Sequence, residues 1–351
     1  MFMSATLSTI AKRAGVSLPT ASHILSPTSR RADLFAPDTR DKVRRIAREM
    51  GYRPNAAART IATGRFGAIA ILQSTFHNRS ILPDQLVAGI DSVLGRHEMH
   101  LILARLSDEK LTSPTYVPRI LRQLTCDGLL INYNAHIPHR MMELLEESSI
   151  PGVWINSQHD HDCVYPDDEK AGYDATRALL DAGHTRIAFV DYTYGLQSRS
   201  RHYSNPARHG GYRRAMAEVG LTPRLITGDT DIPYPDRLSF TAGWIAADDR
   251  PTAVVTYSAR EIDAIVSTAA RMGLTLPAHM AMVGIHDQPI RHFDLTVATM
   301  VLPELEIGLA ATELLLAKIA DRSLHAPPRT VPLTFHPGDT LSPASSPVPG
   351  S

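Results

Sequence analysis

The chain runs to 351 residues, with 36 Lys and Arg balanced by 36 Asp and Glu, 43% apolar side chains and two cysteines. That length exceeds one small domain, and the cysteine count excludes a disulfide framework. No apolar run approaches bilayer-spanning length and no apolar leader precedes Thr6, so a cytoplasmic protein without membrane partners is expected.

The first expected element begins at Thr6, whose hydroxyl suits an N-cap. Leu7, Ile10, Ala11 and Ala14 follow at helical spacing, and Gly15 ends the stripe where a left-handed residue costs least. Ser17 caps a second helix, with Pro19 in its first turn, where the missing N–H matters little. Leu18, Ala21 and Leu25, with Ile24 beside them, form its expected inner face. Pro27 to Leu34 reads as a loop. Pro37 then opens a third helix, with Val43, Ile46, Ala47 and Met50 inward and Gly51 closing it. Three short helices around a small aliphatic core make a helix-turn-helix.

Charge supports that reading. Residues 1–65 carry twelve Lys and Arg and four Asp and Glu, a net of +8, which leaves −8 on the remainder. A basic module on an acidic body fits contact with a phosphate backbone. Beyond it, Asn55 caps the run Ala56-Ala57-Ala58, a good helix former too short to hold alone in water. That segment is expected to order only against a partner.

Residues 6–26, Thr39-Arg40, Gly51-Tyr52-Arg53-Pro54-Asn55 and Ala58-Arg59 resemble the lactose/galactose repressor (LacI/GalR) family of bacterial transcription regulators. The resemblance implies that the second helix enters the major groove of double-stranded operator DNA. Leu18, Pro19 and His23 would face bases, while Ser17, Thr20, Ser22 and Thr39 would hold phosphates beside the capping Thr6. It also implies a hinge helix over 54–62, with Asn55 and Ala58 in it and Ile61 wedged into the minor groove. Two features depart from the family. Leu18, Pro19 and His23 stand where long polar or basic side chains are common, and the loop from Pro27 to Leu34 is longer than usual.

Past residue 65, apolar runs that read as buried strands occur at 68–72, 100–103, 128–131, 152–155, 186–190, 253–255 and 281–284. Helical stretches at 84–96, 116–125, 169–182, 208–219, 260–272 and 303–321 separate them. Such alternation gives parallel sheets with helices on both faces and ligands at the carboxyl ends of strands. Val164-Tyr165-Pro166-Asp167, Gly183-His184-Thr185-Arg186, Arg208-His209-Gly210-Gly211-Tyr212 and Leu302-Pro303-Glu304 resemble the sensor of the same family. The expected fold is thus an all-α helix-turn-helix headpiece followed by an α/β two-lobed periplasmic-binding-protein-like domain with parallel sheets. Its divisions are a DNA-binding domain at 1–53, a hinge and linker at 54–65, an effector-binding and dimerisation domain at 66–341 and a disordered tail at 342–351. Lobe one would comprise 66–181 and 299–325, and lobe two 182–296 and 328–341.

By the resemblance, Asp167 and Arg208 face the inter-lobe cleft and bind an effector, with Ser204 at a further cleft position. One carboxylate and one guanidinium across a closing cleft suit a polar small molecule such as a polyol. Ser258 and His286 stand where the family places other polar ligands, Ser258 following Thr256-Tyr257 instead of an Asn-Asp pair. Phe76, Tyr192, Tyr194 and Tyr257 offer either stacking surface or ordinary strand-end packing. His159-Asp160-His161-Asp162-Cys163 lacks the paired spacing of a zinc module, so neither metal nor cofactor is expected. No nucleophile elbow, P-loop or Rossmann glycine triplet anchors an enzyme reading. The tail carries no leucine heptad, which favours a homodimer. The chain therefore reads as a repressor of transcription that binds palindromic DNA as a dimer, tuned by a small sugar-like effector. The alternative is a DNA-binding regulator whose cleft has lost its ligand.

Overall fold

The computed structural model describes residues 6–26, 30–53, 60, 64–76, 79–123, 125–134, 136–193, 202–292 and 294–344. Asn55, Ala58, Ile61, Tyr194 and the tail from 345 lie outside the described residues. Two compact units divide the chain, residues 1–67 and 68–351.

In the first unit, α1 (Leu7–Ala14) starts at a capping box. Thr6 Oγ1 accepts from the Thr9 amide at 3.2 Å, and the Thr6 amide donates to Thr9 Oγ1 at 3.0 Å. The helix ends at Gly15, whose φ of 71° is left-handed. Ser17 caps α2 (Leu18–Leu25) by accepting from the Thr20 amide at 3.2 Å. A 3-10 turn over Arg30–Leu34 leads to α3 (Pro37–Glu49). Ile10, Ala11, Ala14, Ala21, Ile24, Val43, Ile46 and Ala47 make the core. Leu18 departs from its expected inward position and is 49% exposed. Ala21 and Ile24 already fill the narrow space against α1 and α3, which leaves the start of α2 facing outward.

The second unit holds two six-stranded sheets. Sheet one reads, in spatial order, β13 (Arg329–Val331), β5 (Cys163–Pro166), β4 (Gly152–Ile155), β3 (Gly128–Asn132), β1 (Ala68–Ser74) and β2 (His100–Leu106), all parallel. Sheet two reads β14 (Thr334–His336), β12 (Ala298–Val301), β9 (Ala281–His286), β8 (Ala253–Thr256), β6 (Ile187–Val190) and β7 (Arg224–Ile226). Only the β12–β14 pair is antiparallel. A small hairpin, β10 (Arg291–His292) with β11 (Leu295–Thr296), stands apart. Strands β1, β3, β6 and β8 are buried at every position, as continuous apolar runs must be when helices cover both faces.

On sheet one, α4 (Asp84–Arg96) and α11 (Glu304–Ala320) cover one face, while α5 (Arg119–Arg122) and α6 (His139–Ser148) lie over the other. On sheet two, α7 (Asp168–Asp181) and α8 (Ser204–Glu218) pack on one face and α9 (Arg237–Ile245) and α10 (Ala259–Arg271) on the other. The crossings between lobes therefore fall elsewhere than expected. Helix α7 belongs to lobe two, because Ala171, Ala175 and Leu179 pack with Phe189, Tyr212 and Met216. Strand β12 also belongs to lobe two and β13 to lobe one. The chain thus changes lobe after β5, after β12 and between β13 and β14.

Two helix pairs approach closely through glycines. A Cβ on Gly172 of α7 would overlap the Arg208 carbonyl of α8, and one on Gly211 would overlap the Glu169 carbonyl. Gly89 of α4 and Gly308 of α11 meet in the same way. The first crossing brings the N-terminal turn of α7 against Arg208.

Candidate functional site

The first unit exposes Thr6, Ser17, Leu18, Pro19 and Ser22, with Thr20, His23 and Thr39 half-buried. Ser17 Oγ and Thr20 Oγ1 lie 2.8 Å apart, so the cap orders the start of α2. The expected base-facing and phosphate-facing residues of α2 are thus spread along one short helix, Ser17 to Thr20 at its start and Ser22 and His23 in its last turn. Lys12, Arg13, Arg31, Lys42, Arg44 and Arg48 are exposed around the same small unit. A surface of this kind attracts a polyanion and offers contacts to thymine methyls and phosphates.

In the second unit, the inter-lobe region is built around Arg208. Its Nε donates to Asp168 Oδ1 at 2.6 Å, its Nη1 to the Tyr257 carbonyl at 2.7 Å, and its guanidinium stacks 4.7 Å from the Tyr257 ring centroid. Asp167 was expected to bind an effector beside Arg208. It instead caps α7, accepting from the Lys170 amide at 3.1 Å, and the next residue turns inward. Ser204 is buried, its hydroxyl 2.8 Å from that of Tyr257 and 2.7 Å from His202 Nδ1. His202 Nε2 reaches the Asn156 carbonyl of lobe one at 2.8 Å, and Tyr203 packs edge-on to Tyr165 at 5.2 Å. Burial holds His202 below the usual histidine range and pushes the Tyr257 hydroxyl up to about 12. Arg208, Ser204 and Tyr257 thus come together, and the cleft is laced by its own side chains.

Ser258 takes a structural role as the cap of α10, its amide and hydroxyl donating to Glu261 at 2.8 and 2.7 Å. Glu261 also accepts from the Tyr192 amide at 3.0 Å. Burial, reinforced by the charge of Asp191, pushes it up to about 7. His286 ends β9 with Nε2 2.8 Å from Asp287 Oδ1. Tyr192 packs in the core of lobe two.

Phe76 stands at the carboxyl end of β1, 42% exposed, with the Arg79 guanidinium 4.8 Å from its ring centroid. Beneath it is a polar network absent from the sequence reading. Asp108 accepts from Ser74 Oγ at 2.9 Å, from Arg79 at 2.5 Å and from Tyr133 at 3.1 Å. These four residues come from the ends of three adjacent strands, and only the β3-β1-β2 order brings them together.

His161, Asp162 and His325 bring their ligand atoms within 4.8 Å of one another. The third member lies too far along the chain for spacing to show it. Asp162 already accepts from Lys318 Nζ at 2.6 Å and the Ala326 amide at 3.0 Å, so its charge is matched by the ammonium.

Comparison with known proteins follows this geometry. Residues 6–55 match the family described as bacterial regulatory proteins, lacI family, and residues 176–341 match the periplasmic binding protein-like domain. The chain is 29% identical over 337 residues to the HTH-type transcriptional repressor PurR of Vibrio vulnificus, covering 91% of this chain and 93% of that protein. It is 27% identical over 328 residues to catabolite control protein A of Priestia megaterium, covering 89% and 92%. Among solved structures, the lac repressor dimer bound to operator and the anti-inducer ONPF aligns with a TM-score of 0.75 at 19% identity, over 97% of this chain and all of that one. The CelR–cellobiose complex aligns at 0.63 and 21% identity, over 96% and 99%. These structural likenesses show a shared fold. The relatives matched by sequence are transcription regulators, not enzymes. With a helix-turn-helix unit and a two-lobed sensor-like unit each matching its counterpart, the chain belongs to the lacI family of bacterial regulatory proteins.

Proposed function

We propose that this protein is a transcriptional repressor that binds a palindromic operator as a homodimer in the cytoplasm and answers to a small polar effector between its lobes. The carrying observation is that α2 and its cap expose Ser17, Leu18, Pro19 and Ser22 on a basic unit. Hydroxyls and cations there would fix register on phosphates, while Leu18 and Pro19 limit base reading to apolar and shape contacts. The named relatives that are repressors favour the same direction of control. No helix among the described residues is long and apolar enough to cross a membrane.

Phe76 and His286 near strand ends, with Ser204 and Arg208 in the first turns of α8, are the residues proposed to meet a ligand between the lobes, where it would change the angle between them. A coupling of about 1–3 kcal/mol would move operator affinity about 5–150-fold. The test is selection of bound sequences from random duplexes by the full chain, followed by shift assays with and without residues 1–65. Palindromic enrichment that vanishes in the truncated chain is the expected outcome; equal binding by both forms would falsify the reading.

A second reading has its own support. Arg208, Ser204 and Tyr257 satisfy one another, as a cleft without a ligand requires. Calorimetry against sugars and nucleosides separates the two readings, since a ligand-independent regulator gives no heat with any of them.

A further inference from the structure

Three carboxylates meet where the chain crosses between lobes. Asp287 follows β9, Glu304 opens α11 shortly after β12, and Asp168 opens α7. Register places the first two together: Val301 pairs with His286, and the Leu302 amide donates to the His286 carbonyl at 2.8 Å. Asp168 is 2% exposed and Glu304 6%, whereas the Asp287 side chain is 36% exposed with only its Oδ1 buried.

Their acceptors are not filled. Asp168 gives Oδ1 to Arg208 but leaves a buried Oδ2 without a hydrogen bond, and Asp287 Oδ1 is also buried without one. His286 Nε2 approaches that Asp287 oxygen without hydrogen-bond geometry. The Tyr203 hydroxyl is a hydrogen-bonding neighbour of Asp168, and it also lies 3.4 Å from Asn156 Oδ1 and 3.5 Å from the Pro166 carbonyl. Glu304 makes no side-chain hydrogen bond among the described residues. Opposing charge comes from Arg208, already committed to Asp168 and Tyr257, while burial holds the nearby His202 below the usual histidine range.

Buried carboxylate oxygens without partners are unfavourable unless protonated or paired. Burial, with Asp287 and Asp168 nearby, pushes Glu304 up to about 7, so near neutral pH this corner still holds a proton. An alkylammonium brings three donors and one positive charge, which matches three acceptors and the missing charge.

We infer that the cleft selects a small organic cation, a polar molecule whose ammonium is received by Asp168, Asp287 and Glu304. This rests on the reading of the cleft as an effector site. It separates this protein's ligand from neutral sugars by charge, and Glu304 releases its proton as the ammonium arrives.

Calorimetry on the full chain near neutral pH tests this with two matched pairs: D-glucosamine with D-glucose, and ethanolamine with 1-propanol, its neutral carbon isostere. In at least one pair the cation should bind about tenfold tighter than its neutral partner, as a charge-assisted contact requires. Binding should release protons, seen as a dependence of heat on buffer ionisation enthalpy. Glu304→Gln and Asp287→Asn should each bring the two partners to within about threefold, by weakening the cation. Neutral partners binding as tightly as the cations overturn the charge inference and leave the effector reading standing. No binding by any of the four compounds overturns both. Without ligand, Glu304→Gln should melt higher than the parent above neutral pH; a lower melting temperature means the carboxylate is already paired and overturns the inference.

Discussion

Asp168 and Arg208 leave only 1% and 7% of their side chains exposed, so loss of either partner strands the other out of water. A stranded buried charge costs about 3–5 kcal/mol, whereas apolar replacement of both partners is close to neutral. Urea unfolding of Arg208→Met should show a loss of that size, and Asp168→Leu/Arg208→Met should recover most of it. Equal losses in the single and double variants would mean the two charges are not coupled. Titration gives a second prediction. Glu304 moves from 4.5 to about 7 in the folded chain, so its contribution is complete below pH 4.5 and is lost as pH rises through 7. His209, pushed from 6.5 down to about 4 by burial and then by Arg213, acts oppositely: its contribution is present above pH 6.5 and lost as pH falls through 4. The melting temperature of Glu304→Gln relative to the parent should therefore climb steadily from pH 4.5 to 7, read by scanning calorimetry. The sequence points to Arg208 and Asp167 as effector ligands, and does not show that Asp168 is the carboxylate paired with Arg208. Adjacent carboxylates look alike until it is known which one caps the helix. Asp108 was invisible for another reason, since it lies 34 residues from Ser74 and only sheet order joins them.

At the scale of elements, neighbouring glycines in α8 have opposite roles. A Cβ on Gly211 would strike the backbone of α7, but one on Gly210 meets nothing within 4 Å. Gly211→Ala should cost about 1–3 kcal/mol or more by forcing the helices apart. Gly210→Ala should gain about 0.5–1 kcal/mol from helix propensity and a stiffer unfolded chain. Thermal melts of the two variants should move in opposite directions; a shared sign would remove the close α7–α8 approach. Most element positions were legible, because strands buried on both faces read as unbroken apolar runs and α4 begins and ends as its stripe does. The stretch at 116–125 shrinks to Arg119–Arg122, since Pro118 starts it late and Gln123 is already extended. Leu18 was misread as core because helical spacing alone does not say which side of a short helix is covered.

Across the whole molecule, charge is divided more sharply than sequence length. A net of +8 on residues 1–65 makes DNA affinity strongly salt-dependent. With about 6–10 phosphate contacts, affinity should fall about 10³–10⁵-fold between about 50 and 200 mM salt. A flat salt response would place the binding energy elsewhere than on this unit. The headpiece was legible in full outline because its core joins residues close in sequence, from Ile10 to Ala47. The lobe boundaries were not. Ala182-Gly183 is the strong local breaker, yet the chain changes lobe at Asp167, where only the packing of Ala171, Ala175 and Leu179 decides the side. The three crossings have a consequence for how the protein is made. The core of lobe one includes Ile307, Leu315, Ile319 and Val331, so its sheet is completed only after Val331 has left the ribosome. Lobe two waits as well, for β12 and β14. The DNA-reading unit, finished within the first sixth of the chain, folds long before either. A nascent chain therefore carries its helix-turn-helix unit well before either lobe is complete, and the proposed response to an effector can begin only once both sheets have closed.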